Sequence, residues 1–180
     1  MQLSLPTEFP HPELTPLSTH PDQPNHGSLI QLHKEMNANA SSVHSPGGDG
    51  ARGHLALVIS AAEYFALTGV AHPAPVYPGA NPIHPPGATQ YQITEANRVH
   101  AADQVTHSTW NQPDNSSKQK LLQVINPIYF GGLDDPFHGF STCTTLQMLQ
   151  HLDATYSTVS PDDLIVNEDK MALLWDISQP

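Results

Sequence analysis

The sequence predicts a mainly α-helical protein, in which a small helical domain accompanies a disordered proline-rich N-terminal arm and a proline-rich connector. Apolar residues recur at helical spacing in several segments, and capping residues precede those segments. Twelve of the 18 prolines lie in two clusters, where they block regular structure. Hydrophobic residues make up 38% of the chain and charged residues 13%, compared with about 25% charged residues in typical globular domains. One small core with long irregular flanks is therefore expected.

The first part of the chain is predicted to be extended and then briefly helical. Residues 1–27 form the disordered arm, because prolines recur there too often for a helix or a central strand. Residues 28–69 form a short helical and extended segment. Ser28 and Gln31 match a capping box, which predicts a helix over about residues 29–38.

The apolar run from His54 to Ile59 predicts a short strand, although period alone does not distinguish it from a buried helix. Ser60 and Glu63 form a second capping box, and Gly69 is a typical helix stop, so a helix of about two turns lies between them. Residues 70–88 contain six further prolines and are predicted to be a stiff linker. The alternative is a ligand for a proline-binding groove, for which the segment from Pro82 to Pro85 lacks the usual flanking basic residue.

Residues 89–180 are predicted to be helical and incomplete at the C-terminus. The first helix of this segment is expected to end at the Pro113-Asp114 pair. It carries an apolar residue at every third position: Ile93, Ala96, Val99, Ala102 and Val105. A second apolar stripe follows, and within it Asn126 is expected to cap a new turn that begins at Pro127.

Two more helices complete this segment. Leu146, Leu149, Leu152 and Tyr156 line one face of an amphipathic helix, for which Thr142 is the expected cap. The last helix is expected to begin at Ser160-Pro161, with an apolar side formed by Leu164, Met171, Ala172 and Trp175.

Charge and cysteine content exclude several functions. Six basic residues oppose 17 acidic ones, for a formal charge of −11, so this segment is not expected to bind nucleic acid directly or to bind an anionic membrane. Cys143 is the single cysteine, so no intrachain disulfide is possible. The start of the chain has no secretory pattern and no segment is long and apolar enough to span a membrane, so a cytoplasmic protein is expected.

The sequence also gives little support for catalysis or metal binding. The 12 histidines show no zinc-binding spacing, although His100 and His107 could share a helix face. His138, Cys143 and His151 would need the fold to bring them together. We therefore expect no enzyme activity, no metal, no cofactor and no small-molecule substrate. The histidines predict pH sensitivity instead.

An ordered series of short segments resembles one family. These segments are His11–Pro16, Asn37–Ala40, Gly53–Val58, Ala62–Tyr64, Pro75-Val76, Pro78-Gly79, Pro86–Thr89, His100, Leu121-Leu122, Pro127–Tyr129, Gly139-Phe140, Thr144-Thr145, Leu149–Leu152, Thr155-Tyr156, Pro161 and Leu164. Together they are similar to the capsid-like region of the Gag polyprotein of copia-type LTR retrotransposons, in the subset found in algal and related genomes. The resemblance covers about residues 11–180.

This resemblance implies an all-helical capsid-like domain that self-associates into virus-like particles. In that family RNA is bound chiefly by a downstream zinc knuckle, which is missing here together with the later capsid helices, so a truncated Gag is expected. Gly131-Gly132 and Asp134–Pro136 depart from the family pattern, which has good helix formers and basic residues at these places.

Without the later helices, two apolar faces are expected to lack intrachain cover and to mediate a homo-oligomer. The candidate self-association residues are Leu146, Leu149, Leu152, Tyr156, Met171, Leu174 and Trp175. Two alternatives remain open. The chain could be a non-enzymatic helical interaction module with proline-rich ligand segments, or a remnant reading frame without function.

Overall fold

The computed structural model describes residues 17, 23–45, 47–72, 74–158, 164, 165 and 168. Across these residues the protein is mainly α-helical, as predicted, and contains no β-strand. The structure bounds four α-helices: α1 (His26–Ser42), α2 (Ala61–Thr68), α3 (Gln90–Val124) and α4 (Thr145–Tyr156). Three 3-10 helices span Leu55–Leu57, Pro127–Leu133 and Phe140–Thr142. Leu164, Ile165 and Glu168 are also helical, whereas the predicted cap Ser160 lies outside the described residues.

Each bounded α-helix begins with a reciprocal capping box, which satisfies amide groups that the first turn leaves unpaired. The pairs are Asn25 with Ser28, Ser60 with Glu63, Thr89 with Gln92, and Thr144 with Gln147. The prediction for α2 is confirmed at both ends, because Gly69 ends the helix in the left-handed conformation at φ 70°. Two predicted caps are wrong: α1 is capped by Asn25, three residues before Ser28, and α4 is capped by Thr144 and not by Thr142.

Of the two structures left open for His54–Ile59, the strand is wrong, because the segment folds into a 3-10 helix and turns. All six residues of this run are buried, so its apolar side chains enter the core without forming a strand. Gly53, at φ 49°, turns the chain against the end of α1, and the amide of His54 donates to the carbonyl of Ala40 at 2.8 Å. The run is thereby anchored to α1.

We predict that Gly53→Ala is destabilising by about 2 kcal/mol or more, because steric overlap adds to the cost of the left-handed backbone. A Cβ at this position would lie 2.2 Å from the carbonyl oxygen of Val43 and 2.6 Å from that of Ser41. Urea unfolding measures the loss. Gly50→Ala is the matched control, because Gly50 has φ 70° and no atom within 4 Å of the added Cβ. Equal losses in the two variants would show that the close approach contributes nothing.

The long helix α3 continues through Pro113, so the predicted break at Pro113-Asp114 is wrong. A proline inside a helix costs about 3 kcal/mol through a lost hydrogen bond and a steric clash. Here the following turn is fixed by contacts with the start of α4. The backbone amide of Thr145 donates a hydrogen bond to the side-chain carboxylate of Asp114 at 2.9 Å. The hydroxyl of Thr145 donates to the backbone carbonyl of Asp114, also at 2.9 Å.

Lys118 completes this buried polar cluster between α3 and α4. Its ammonium group lies 3.6 Å from the carboxylate of Asp114 and donates to the carbonyl of Cys143 at 2.9 Å. Asp114 and Lys118 are only 7% and 8% exposed. Through Thr145 and Cys143, these two side chains of α3 connect the helix to the start of α4, at a point with little exposure to water.

The core is formed mainly by α1, the buried run Leu55–Ile59, α4, and the end of α3 with the 3-10 helix that follows it. Asn126 caps that 3-10 helix and Pro127 begins it, as predicted. α4 is central, because it contacts α1, α3 and the 3-10 helix Pro127–Leu133. The fully or nearly fully buried side chains include Leu29, Leu32, Met36, Leu121, Phe130, Met148, Leu149 and Leu152.

Candidate functional site

The predicted self-association face of α4 is largely core. Leu149 and Leu152 are each 0% exposed and belong to the hydrophobic core. The expectation that these two leucines lack intrachain cover is therefore wrong, because α1, α3 and the 3-10 helix after α3 surround α4. Leu146 and Tyr156 are half-buried, and the ring of Tyr156 packs edge-to-face on Tyr129 with centroids 5.4 Å apart.

The second predicted face consists of Met171, Leu174 and Trp175, which lie outside the described residues. Self-association through those three side chains stays a prediction.

An exposed apolar surface occurs instead on the first half of α3. We call residues 90–106 the α3 arm. Tyr91, Val99 and Val105 are 78%, 45% and 55% exposed, and the buried side chains of α3 all lie between Pro113 and Leu121. The arm thus extends beyond the part of α3 that is embedded in the core.

Helical geometry places Tyr91, Ala102 and Val105 on one side of the arm, because offsets of 11 and 14 residues are close to whole numbers of turns. All three are exposed. The spacing of three residues that was noted in the sequence rotates around the helix and so does not define a single face. The side with Tyr91, Ala102 and Val105 is the apolar stripe of the α3 arm.

The α3 arm is also nearly neutral. It carries the carboxylates of Glu95 and Asp103 and the guanidinium of Arg98, a formal charge of −1, whereas the whole chain has −11. Arg98 pairs with Glu95 at 2.7 Å, and this pairing lowers the pKa of Glu95. Repulsion between two copies of this acidic chain is therefore weak at the arm.

The proline-rich connector is mostly exposed and lacks regular secondary structure in its described residues, 70–72 and 74–88. Val76 and Ile83 are 88% and 97% exposed. The ring of Tyr77 packs edge-on against His107 of α3 with centroids 5.1 Å apart. The connector thus contacts α3 where the arm meets the embedded part of the helix.

The fold brings Cys143 and His151 to one open cavity of about 650 Å³, whose lining also includes Asp134 and Asp135. His138 is not part of this lining. Burial raises the pKa of the Cys143 thiol, which disfavours the thiolate form that nucleophilic catalysis needs. His151 packs closely on Gly132, where an added Cβ would lie 3.0 Å from the ring.

Asp134-Asp135 leads into a turn that closes at Gly139. The amides of Phe137 and His138 donate to the carboxylate of Asp135 at 2.9 and 2.8 Å and lower its pKa. Among the described residues, no group of three or more histidine, cysteine or acidic side chains could hold a metal ion.

Sequence reasoning missed two buried polar arrangements: the Asp114–Lys118 cluster, and a group of rings around His54 and Trp110. The spacing of four residues between Asp114 and Lys118 is a helical ion-pair pattern and could have been noticed. No local signal joins His54 to Trp110, because they are distant in the sequence and meet only in the fold.

Comparison of the chain with protein-family models, with curated proteins and with solved structures gave no significant match. In the part of the chain that the structure describes, no helix has the length and apolar character needed to cross a membrane.

Proposed function

We propose that this chain is a structural, capsid-like Gag fragment of the copia-type retrotransposon kind, which acts by self-association and not by catalysis. The ordered series of resembling segments motivates the proposal, and the mainly helical fold is compatible with it. The observation that carries it is the apolar stripe of the α3 arm. A second copy of the chain is its proposed occupant.

Two physical properties favour a second copy at this stripe. Association that removes exposed apolar side chains from water is favourable, by about 25 cal/mol for each Å² that is buried. The α3 arm also carries little of the negative charge that otherwise keeps copies of this chain apart. The contact is expected to be homotypic, with the same stripe contributed by each copy.

We predict that the protein forms concentration-dependent oligomers and that Tyr91→Asp combined with Val105→Asp shifts it to a monomer. The two carboxylates add repulsion and remove apolar surface from the stripe. Sedimentation velocity over a range of concentrations measures the change, and electron microscopy of the assembled fraction tests for particles.

The matched control adds the same charge to exposed polar positions of the arm, through Asn97→Asp combined with Gln104→Asp. This control should retain the oligomers. A wild-type chain that stays monomeric at every concentration contradicts the proposed function. Equal loss of oligomers in both double variants contradicts the location of the contact.

A second candidate is a non-enzymatic interaction module whose proline-rich connector is a ligand for another protein. The exposure of Val76 and Ile83 favours it, since extended proline-rich segments present such side chains to binding grooves. A stable monomer in sedimentation favours this function over assembly.

A further inference from the structure

We propose that the rings of His54, Tyr64, His72 and Trp110 form a pH-sensitive joint at the base of the α3 arm, closed while His54 is neutral and opened when His54 gains a proton. This ring cluster joins the end of α1, helix α2, the connector and α3. The inference concerns the fold of a single chain and does not depend on self-association.

His54 is the buried centre of the ring cluster. It is 1% exposed, and its Nδ1 has no hydrogen-bond partner. Its ring lies against that of Trp110 with centroids 6.0 Å apart. A buried imidazole with an unpaired nitrogen is tolerated in its neutral form, because that nitrogen then carries no proton and needs no hydrogen-bond acceptor.

His72 connects Trp110 to α2. Its ring stands edge-on to Trp110 at 5.7 Å and to Tyr64 at 5.8 Å between centroids. Its Nε2 lies 2.5 Å from the carbonyl oxygen of Ala56, which can only accept a hydrogen bond, so Nε2 carries the proton. The connector is thereby fixed to the buried run that follows His54.

Protonation of His54 is unfavourable in the closed cluster. Burial lowers its pKa, the positive charge of a protonated His44 lowers it further, and a hydrogen bond with the backbone of His44 opposes these effects only in part. The second N–H of an imidazolium would also lack an acceptor in the core.

The sign of the pH dependence follows from this direction. Because the pKa of His54 in the folded chain lies below 6.5, the unfolded or open form takes up the proton first as the pH falls. The closed form is fully stabilised above pH 6.5. It loses stability progressively as the pH falls from 6.5 through the lower folded pKa.

The titratable neighbour of His54 is His44, from the chain after α1. Helix α3 contributes Trp110, which does not titrate, and His72 of the connector contacts the other side of the ring cluster through Trp110 and Tyr64. Beyond His72, the hydroxyl of Tyr64 contacts Asp49, which forms an ion pair with Arg52 at 2.6 Å.

On the opposite side of α1, the imidazole of His33 lies 2.9 Å from the carboxylate of Asp153 on α4. This contact between α1 and α4 does not involve the ring cluster. The release of Trp110 with the α3 arm is the expected consequence of protonation of His54.

The experiment follows Trp110 fluorescence from pH 7.5 to 5 in a Trp175→Phe background, at low concentration so that assembly does not contribute. We expect a red shift with a midpoint below pH 6.5, while far-UV circular dichroism retains most of the helix signal. His54→Leu should remove the transition. His84→Gln, a half-buried connector histidine outside the ring cluster, should leave it unchanged.

Histidine ring resonances of the native chain give a second measurement that needs no substitution at His54. The resonance of His54 should titrate below pH 6.5, together with the indole resonance of Trp110. Trp110 fluorescence that is constant over this pH range, or a His54 resonance that titrates at 6.5 or above, would overturn the proposal. The same midpoint in a folded His54→Leu variant would also overturn it.

Discussion

Replacing both Leu149 and Leu152 with aspartate is expected to unfold the protein and not merely to separate its copies. Each side chain is 0% exposed within the core between α4 and its neighbours. Truncation of a buried leucine alone costs about 3–5 kcal/mol, and an unpaired buried carboxylate adds to that cost. The sum approaches or exceeds the whole stability of a typical domain, about 5–15 kcal/mol. Far-UV circular dichroism and thermal unfolding measure the result.

The control adds the same two charges to α4 at Gln150 and Ala154, which are exposed. That variant should remain folded, with a loss of only a few tenths of a kcal/mol from carboxylates near the helix C-terminus. A folded Leu149→Asp, Leu152→Asp variant that has lost its oligomers would contradict the buried placement. That result would show that Leu149 and Leu152 lie in an interface between copies.

This distinction decides where self-association must be sought. Leu146 and Tyr156 are half-buried at the edges of α4, so they offer little apolar area once Leu149 and Leu152 are in the core. The α3 arm has the opposite character: it is exposed, partly apolar and nearly neutral. Any stable contact between copies within the described residues is therefore expected to use α3 before α4.

The features that the sequence predicted correctly depend on interactions between near neighbours. Ser60 and Glu63 bond each other's backbone amides, Gly69 adopts the left-handed conformation, and Asn126 caps the turn that begins at Pro127. Each interaction spans at most a few residues, so residue type and spacing are sufficient to predict it. The mainly α-helical fold class follows from the same local patterns.

The errors occurred where tertiary contacts outweighed local preference. His54–Ile59 has the apolar composition of a strand, but contact with α1 turns it into a 3-10 helix. Pro113 normally ends a helix, yet α3 passes through it because the next turn is fixed to Thr145. These partners are distant in the sequence, so no local pattern could identify them.

The candidate sites show the same division. The amphipathic pattern of α4 correctly indicated that one face is covered, but it could not indicate whether the cover comes from the same chain or from another copy. The ring cluster around His54 and Trp110 could not be predicted, because these two residues are distant in the sequence and meet only in the fold. By contrast, the pH sensitivity that the histidines suggested now has a specific location to test.

We predict that Asp114→Ala is destabilising by about 3–5 kcal/mol, because it leaves the buried ammonium group of Lys118 without its counterion. The substitution also removes the acceptor of the buried amide of Thr145. The effect should exceed that of an exposed acidic residue on the same helix. Urea unfolding of Asp114→Ala and Asp103→Ala compares the two positions, and Asp103 is exposed.

A double-mutant cycle with Lys118→Met separates the ion pair from the rest of the cluster. Methionine retains the length and apolar character of the lysine stem, and it removes the charge that Asp114→Ala strands in the core. The double variant should therefore recover part of the stability lost in Asp114→Ala alone. If the two losses simply add, Lys118 is not energetically coupled to Asp114. The continuation of α3 through Pro113 must then depend on the hydrogen bonds with Thr145 alone.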